Sequence, residues 1–413
     1  MSNTPIAAVL PHRAHDLARL QTLARNGEPD VTITVIGKYN HGKSRLLNEL
    51  IGQDVFAVAD RRETVQLADT VQRNVRWLDA PGLDADVGSE DDRHAFHAAW
   101  LESDIRLFVH AAKEGELDAK ERELLLELHA DGARTQRQTV FVLTQIDQLA
   151  DDTELDKVRE AIVRQAPGVV LNAVSATRHR KGVEGAKLLM QERSGIPALQ
   201  ATLDAALGNV PQARAHERAL LLDEIRAELN QFRDQCEATL ASSLQTQLDQ
   251  RQAFDSGLQA VIEQSAVKIE TMLDSLGEDH AIKPDTAKDA YALTAGKLER
   301  AHIQIAYSRA CIEIDGFLAG HGVVGLPGEQ QTAARSLNSV MIAVLGVSVK
   351  FRKDLRRMFC EAAGRTRLQE QFTHYYELSA DRQALVAQIE HTTEAIAAIE
   401  RAFAALPALE PRT

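Results

Sequence analysis

Between about residue 30 and residue 208, short β-branched runs alternate with stretches whose apolar residues recur every three or four positions. The runs occupy 31–36, 75–78, 105–110, 139–144 and 169–174. Strand-like runs spaced by helix-length segments predict βαβ units, and therefore a largely parallel sheet with helices on both faces. Beyond Pro211 the strands stop, and nearly everything reads as long amphipathic helix, with breaks near 277–284 and 320–328. The expected organisation is an N-terminal helical segment at 1–28, an α/β domain at 29–209 and an α-helical bundle at 210–413. Two stretches of the helical half carry coiled-coil spacing. Leu222, Ile225, Leu229, Phe232 and Cys236 form one, and Leu385, Ile389, Thr392, Ile396, Ile399, Phe403 and Leu406 the other. Such seams belong on the inner face of a bundle; a seam between two copies of the chain is the other use of the same pattern.

Composition narrows the class. The chain has 413 residues, with 47 Lys+Arg against 60 Asp+Glu and a net charge of −13. An acidic balance argues against bulk nucleic-acid binding, which needs a cationic footprint. Three cysteines, Cys236, Cys311 and Cys360, stand far apart without metal-ligand spacing, as expected of a reducing compartment. The first residues lack a basic segment followed by an apolar one, so no signal peptide is expected and the location reads as cytoplasmic. No uncharged apolar run reaches the ~18 residues of a membrane-spanning helix.

The strongest chemical signal follows the run at 31–36. Gly37, Lys38, Tyr39, Asn40, His41, Gly42, Lys43 and Ser44 fit GxxxxGK(S/T), and the helical pattern Leu46, Leu47, Leu50, Ile51 comes next. Strand, glycine loop and helix in that order make a phosphate loop. Glycines let successive backbone N–H groups turn inward on phosphate oxygens, and the helix N-terminus adds its dipole. Lys43 is placed to bridge the β- and γ-phosphates and the Ser44 hydroxyl to ligate magnesium. His41 and Arg45 complete the nucleotide-binding set of this loop.

Three further motifs each close a strand-like run. Asp79 opens Asp-Ala-Pro-Gly, where the carboxylate can hold magnesium through water and the Gly82 N–H can meet the γ-phosphate. Thr144, Gln145 and Asp147 close the run at 139–144, and a carboxylate there can accept the paired N1 and N2 donors of guanine, which adenine lacks. Ser175 and Ala176 end the next run, where the Ala176 N–H can donate to guanine O6. Histidines 94 and 97 have one-turn spacing but no third ligand nearby, so they are not expected to hold a metal.

In this order the motifs resemble the Era-like and dynamin-like P-loop GTPases of the TRAFAC class, over about residues 30–208. The resemblance implies GTP as substrate, Mg2+ as cofactor and a switch-one threonine closing over both. Thr64 is the preferred candidate and Thr70 the alternative; Arg61 and Arg62 precede Thr64 and are arginines that could steady the transferring phosphoryl group. Two departures stand out. Gln145 replaces the family's lysine, and Leu83 stands where Ras-type enzymes carry the water-positioning glutamine. Asn40 occupies the position at which potassium-dependent members place an asparagine ligand, so the resemblance also implies K+ beside the phosphates. Lys43, Thr64 and Asn40 are thus the expected catalytic group, and Ser44, Thr64 and Asp79 the expected metal ligands.

In dynamin-like proteins a helical bundle after the GTPase domain carries assembly and membrane surfaces. The matching segment here is 340–357, which opens on an apolar block at Val340 and closes on a basic run at Arg357. Lys350, Arg352, Lys353, Arg356 and Arg357 face Asp354 alone in that run. Such a composition suits either a segment lying on anionic lipid or a buried helix with a cationic end. The expected function is therefore GTP hydrolysis coupled to self-association or to an anionic, peripheral membrane surface. A slow GTP-gated switch that recruits a protein partner is the first alternative. An Era-like ribosome-assembly GTPase is the second, disfavoured because no basic RNA-binding module follows the GTPase domain.

Overall fold

The computed structural model describes residues 5–24, 31–57, 68–79, 98–286, 289 and 291–410. It divides into two compact units, 1–231 with 398–413, and 232–397. The division falls between Gln231 and Phe232, inside a helix that runs unbroken from Ile196 to Ser275 with Pro211 in its interior, and no linker interrupts the chain at 208–212.

The first unit is built on a six-stranded sheet of order β2-β3-β1-β4-β5-β6. Its strands are β1 (Val31–Ile36), β2 (Ala68–Gln72), β3 (Val75–Asp79), β4 (Ile105–Ala111), β5 (Gln138–Thr144) and β6 (Leu171–Ala173). All neighbours are parallel except β2, which runs antiparallel along β3 at the edge. Helices α1 (Pro5–Val9) and α2 (Ala14–Ala24) precede the sheet; α3 (Lys43–Ile51), α4 (Ala119–Thr135), α5 (Asp152–Gln165), α6 (Ala176–Glu184), α7 (Leu188–Glu192) and the start of α8 (Ile196–Ser275) follow strands or each other. Helix-covered parallel strands are buried on both faces and need apolar residues on each. The alternation is clean in the central strands. Ile33 and Val35 of β1, Ile105, Leu107 and Val109 of β4, and Val140 and Val142 of β5 share one core with Leu46, Leu47, Ile196 and Leu199. Phe108 of β4, together with Phe141 and Leu143 of β5, shares the other core with Leu125, Leu128 and Ile162.

A buried ion network closes the amino edge of this sheet. Arg19 of α2 donates to both oxygens of Glu217, at 3.0 and 2.8 Å, and to the Leu101 carbonyl at 2.8 Å. Arg137 lies 3.3 Å from Glu217 and donates to Asp131 at 2.9 Å, and Arg106 donates to the same Asp131 oxygen at 2.7 Å. Arg214 grips both oxygens of Asp104, whose Oδ2 also accepts from the Thr32 N–H. Residues of α2, β4, α4 and α8, with Arg137 just before β5, are thus held together by charges of which Arg19, Asp104, Arg106, Arg137 and Glu217 are buried.

The second unit is helical. Its core joins Phe254, Leu258 and Ile262 of α8 with Ile303, Tyr307 and Ile314 of α9 (Ala295–Gly320). Phe359 and the residues Leu368, Phe372 and Tyr376 of α12 (Ala362–Glu377) complete it, after the short α10 (Val340–Leu345) and α11 (Arg352–Leu355). Helix α13 (Ala380–Ala405) ends the described fold. The segment 340–357, expected to face lipid or to be buried, is divided between core and surface. Val340, Met341, Leu345 and Val349 lie in the core, and Tyr307 donates to the Gly346 carbonyl at 2.7 Å. Arg352 binds Glu299 and the carbonyls of Gly277 and Glu278, and Arg356 pairs with Asp274. Val347 and Phe351 stay exposed with Lys350, Lys353, Arg356 and Arg357, as do Ala343, Gly346 and Ser348. Among the described residues, no helix is long and apolar enough to cross a membrane.

Removing one member of a buried ion network strands its partners. Glu217→Ala leaves Arg19 and Arg137 without their shared carboxylate and is expected to destabilise the first unit by about 3–5 kcal/mol in urea unfolding. Arg226→Ala, which breaks an exposed pair with Glu410, is expected to cost under about 1 kcal/mol. Equal losses in the two variants would show that the network contributes nothing as a buried unit.

Candidate functional site

The carboxyl ends of β1, β3, β4, β5 and β6 meet at one rim, where ligands of open parallel sheets bind. The loop after β1 starts at Gly37, whose φ of +156° and contact with the Val109 backbone leave no room for a side chain, since a Cβ there would collide with the Val109 carbonyl oxygen. Asn40 and Gly42 take φ of +59° and +80°, and α3 begins immediately after. Left-handed residues at these two points turn the loop back on itself, so the first free N–H groups of α3 open onto the rim.

Lys43 is buried and folded across this loop. Its Nζ donates to the carbonyls of Gly37 and Lys38, at 2.9 Å each. Ser44 Oγ donates to Asp79 Oδ2 at 2.6 Å. Asp79 ends β3, is 3% exposed, and its other oxygen, Oδ1, is buried without a hydrogen-bond partner among the described residues. Burial raises the Asp79 pKa, against the hydrogen bond from Ser44 and the Lys43 charge. A buried acceptor with nothing to accept is costly, and a hard cation held by one hydroxyl and one carboxylate is the ligand that would relieve it.

The remaining sequence motifs converge on the same loop by direct bonds. Thr144 Oγ1 donates to the His41 carbonyl at 2.6 Å, and Gln145 Nε2 to the Asn40 carbonyl at 2.6 Å. Gln145 holds φ at +57°, which turns the chain so that the following Asp147 is exposed at the rim. Ser175 Oγ donates to Asp147 Oδ1 at 2.5 Å and caps α6 by accepting from the Arg178 N–H at 3.0 Å. Ala176 is the first residue of α6, and Arg45 reaches Thr177 Oγ1 at 3.5 Å. Glu49 of α3 meets His179 at 2.8 Å and Arg180 at 2.7 Å, tying the phosphate-loop helix to α6.

Gly37, Asn40, His41, Gly42, Lys43, Ser44, Arg45, Asp79, Thr144, Gln145, Asp147, Ser175 and Ala176 are therefore assembled at one rim. Thr64, Gly82, Arg61, Arg62, Leu83 and histidines 94 and 97 lie outside the described residues. Thr70 sits in the middle of β2 opposite Trp77.

Three residues to which the sequence assigned no role, Asp118, His110 and Glu121, also reach the loop. Lys38 pairs with Asp118, and His110 and Glu121 pack beneath His41. A signal for two of them was present: Asp118 and Glu121 are spaced as a capping box, and both of its hydrogen bonds form. Nothing in the sequence pointed to His110, one of two polar residues, with Arg106, in a largely apolar strand.

Residues 32–145 match the family model described as 50S ribosome-binding GTPase. An uncharacterized protein of Acinetobacter baylyi is 51% identical over 405 residues, covering 98% of this chain and 96% of that protein. The GTPase Der of Streptococcus mutans is 31% identical over 99 residues, so the likeness to Der covers 22% of each chain. Era solved with MgGDPNP and nucleotides of 16S ribosomal RNA overlaps 39% of this chain and 56% of its own, at 21% identity and a TM-score of 0.32. The chain belongs to the same family as the Acinetobacter baylyi protein, and its sheet-containing unit is that of a P-loop GTPase.

Proposed function

We propose that the rim described above binds GTP with Mg2+, hydrolyses it, and passes the change in nucleotide state to the helical unit. The observation that carries the site assignment is the Ser44–Asp79 pair with its orphaned Oδ1 beneath a loop built for phosphate. Ser44 and Asp79 would hold Mg2+, joined by Thr64; the ion would neutralise charge on the β- and γ-phosphates. Lys43, parked on the Gly37 and Lys38 carbonyls, is prepaid in position and needs only to exchange those acceptors for phosphate oxygens. The loop N–H groups and that of Gly82 complete the phosphate cradle.

Asp147 reads guanine, and Ser175 holds the carboxylate in the orientation that two parallel hydrogen bonds require. The Ala176 N–H serves guanine O6. Gln145 supplies uncharged surface along the base while its amide holds the Asn40 carbonyl. Asn40, whose backbone carbonyl that bond holds, would offer its side chain to a K+ ion, which would supply positive charge beside the phosphates as an arginine finger does.

The coupling half of the reading is dynamin-like: GTP-dependent self-association or attachment to an anionic membrane. It is supported by Val347, 74% exposed, and Phe351, set among Lys350, Lys353 and Arg357 at the surface of the helical unit. A GTP-gated switch that recruits a protein partner without lipid is the competing reading. An Era-like role at the ribosome is the third, since the family model is described as ribosome-binding.

Lys43→Ala is expected to lower kcat/KM for GTP by about 10²–10³-fold. Asp147→Ala removes a charge-assisted pair and is expected to weaken GTP binding by about 10–100-fold while leaving ATP binding unchanged. In the same assay potassium should outpace sodium, and Asn40→Ala should erase that difference. ATP competing as well as GTP in the unaltered chain would sink the guanine assignment, and equal rates in the two salts the potassium one.

Asp79→Asn separates function from stability. A carboxyl whose folded pKa is raised binds its proton more tightly folded than unfolded, so stability falls as pH rises from about 3.8 through the folded value. At neutral pH the nucleotide-free Asp79→Asn chain is therefore expected to melt higher than the unaltered one and to lose Mg2+-dependent GTP binding. A lower melting temperature would contradict the orphaned-carboxylate account.

Vesicles containing anionic lipid should sediment the GTP-loaded chain and raise its hydrolysis rate, and Val347→Asp with Phe351→Asp should abolish both. Neutral vesicles sedimenting it equally, or ribosomal subunits doing so when vesicles do not, would overturn the membrane reading.

A further inference from the structure

Beneath the phosphate loop lies a group of side chains that the GTPase reading does not use. His41, His110 and Glu121 are each at most 5% exposed at the side chain. His110 Nδ1 is 2.9 Å and His41 Nδ1 3.5 Å from the same oxygen, Glu121 Oε1. The imidazole rings meet edge to face, with centroids 5.1 Å apart and planes at 89°. One ligand atom from each residue lies within 4.8 Å of the others.

Donor and acceptor accounting shows what is missing. His110 Nε2 faces the Gly115 carbonyl at 3.2 Å, and a carbonyl only accepts, so that nitrogen carries the ring's hydrogen. In neutral imidazole the lone pair on Nδ1 then points at a carboxylate oxygen 2.9 Å away. Two lone pairs at that distance repel unless a proton or a metal ion joins them. Glu121 is held ionised from its other side, where Oε2 accepts from the Asp118 N–H at 3.1 Å and lies 3.7 Å from Lys38 Nζ. Oε1 is left to the two histidines. His41 Nδ1 has one further neighbour, the Val109 carbonyl at 3.4 Å, an oxygen that can fill a coordination position.

Two imidazole nitrogens and one carboxylate oxygen, with the spare N–H of one ring on a backbone carbonyl, make the donor set and outer shell of a borderline-soft divalent ion. We propose that His41, His110 and Glu121 form a site for one transition-metal ion of the Zn2+ class, built from residues other than the expected Mg2+ ligands Ser44 and Asp79. Its place explains why it matters. His41 belongs to the phosphate loop and its carbonyl is fixed by Thr144, while Glu121 stands in the first turn of α4, so the ion pins the loop to that helix. Magnesium is ill suited here, because hard cations favour oxygen ligands.

The test uses the full chain, stripped with a chelator and held with excess Mg2+ and GDP so that the phosphate site is filled. Co2+ serves as the spectroscopic probe for Zn2+. The expected result is one equivalent of Co2+ with the strong visible absorption of four-coordinate, imidazole-bound cobalt, displaced by Zn2+. His110→Asn and Glu121→Gln should weaken it by at least about 100-fold, and His179→Ala, in a separate His–Glu pair, should leave it unchanged. Zn2+ should also raise the melting temperature of the unaltered chain and of His179→Ala, but not of the other two variants. Should His110→Asn fail to fold, Glu121→Gln carries the comparison. Absence of the absorption, or its persistence in both site variants, would overturn the proposal and assign the gap between His110 and Glu121 to a proton. Neither readout depends on hydrolysis, so failure of the GTPase assignment would appear separately.

Discussion

The contact between Gly37 and the backbone of Val109 is the constraint on which the site depends. Strand β1 lies beside β4, and the chain leaving β1 must pass the Val109 carbonyl before it can turn. Only a residue without Cβ clears that oxygen. Once past it, the left-handed turns at Asn40 and Gly42 bring the chain back over the strand ends and start α3 at Lys43. A side chain at residue 37 would push the loop off β4, and three things would move with it: the carbonyls that hold Lys43, the Ser44–Asp79 bond and the His41 and Asn40 carbonyls that Thr144 and Gln145 grip.

The even-numbered face of β4 organises the other half of the unit. Arg106, Phe108 and His110 point to one side, and α4 answers with a stripe at Glu121, Leu125, Leu128 and Asp131. The apolar middle supplies burial, and the two polar ends are matched charge to charge, Asp131 to Arg106 and Glu121 to His110. A register slip of α4 along the strand would bury both carboxylates without partners, which costs far more than the pairs contribute when made. Polar residues at the ends of an apolar strand thereby set where the helix lies, and the helix N-terminus is delivered to the phosphate loop.

Much of the architecture could be read in advance because it rests on local periodicity. Val31–Ile36 is β-branched throughout and buried on both faces, as suits a central parallel strand, and the glycines and Lys43 announce the loop that follows. The helical half was legible for the same reason, although of the first seam Leu222, Ile225 and Leu229 are buried while Phe232 is exposed. What periodicity could not supply is the partner across the fold. Residues 340–349 have the composition of a lipid-facing block, yet Val340, Met341, Leu345 and Val349 are spent on a core with α9 and α12. An apolar run looks the same in sequence whether water, lipid or protein covers it.

The site divides along the same line. The residue types proposed to touch phosphate, metal and guanine were determined by the sequence alone, because each must sit within a few residues of a strand end and the chemistry admits few alternatives. The tertiary structure alone decided that Asp79 keeps one oxygen without a partner, that Ser175 orients Asp147, and that His110 and Glu121 lie under His41. Those relations join residues far apart in the chain, and they arise only when parallel strands stack their carboxyl ends at one rim; no spacing along the sequence encodes a distance across a sheet.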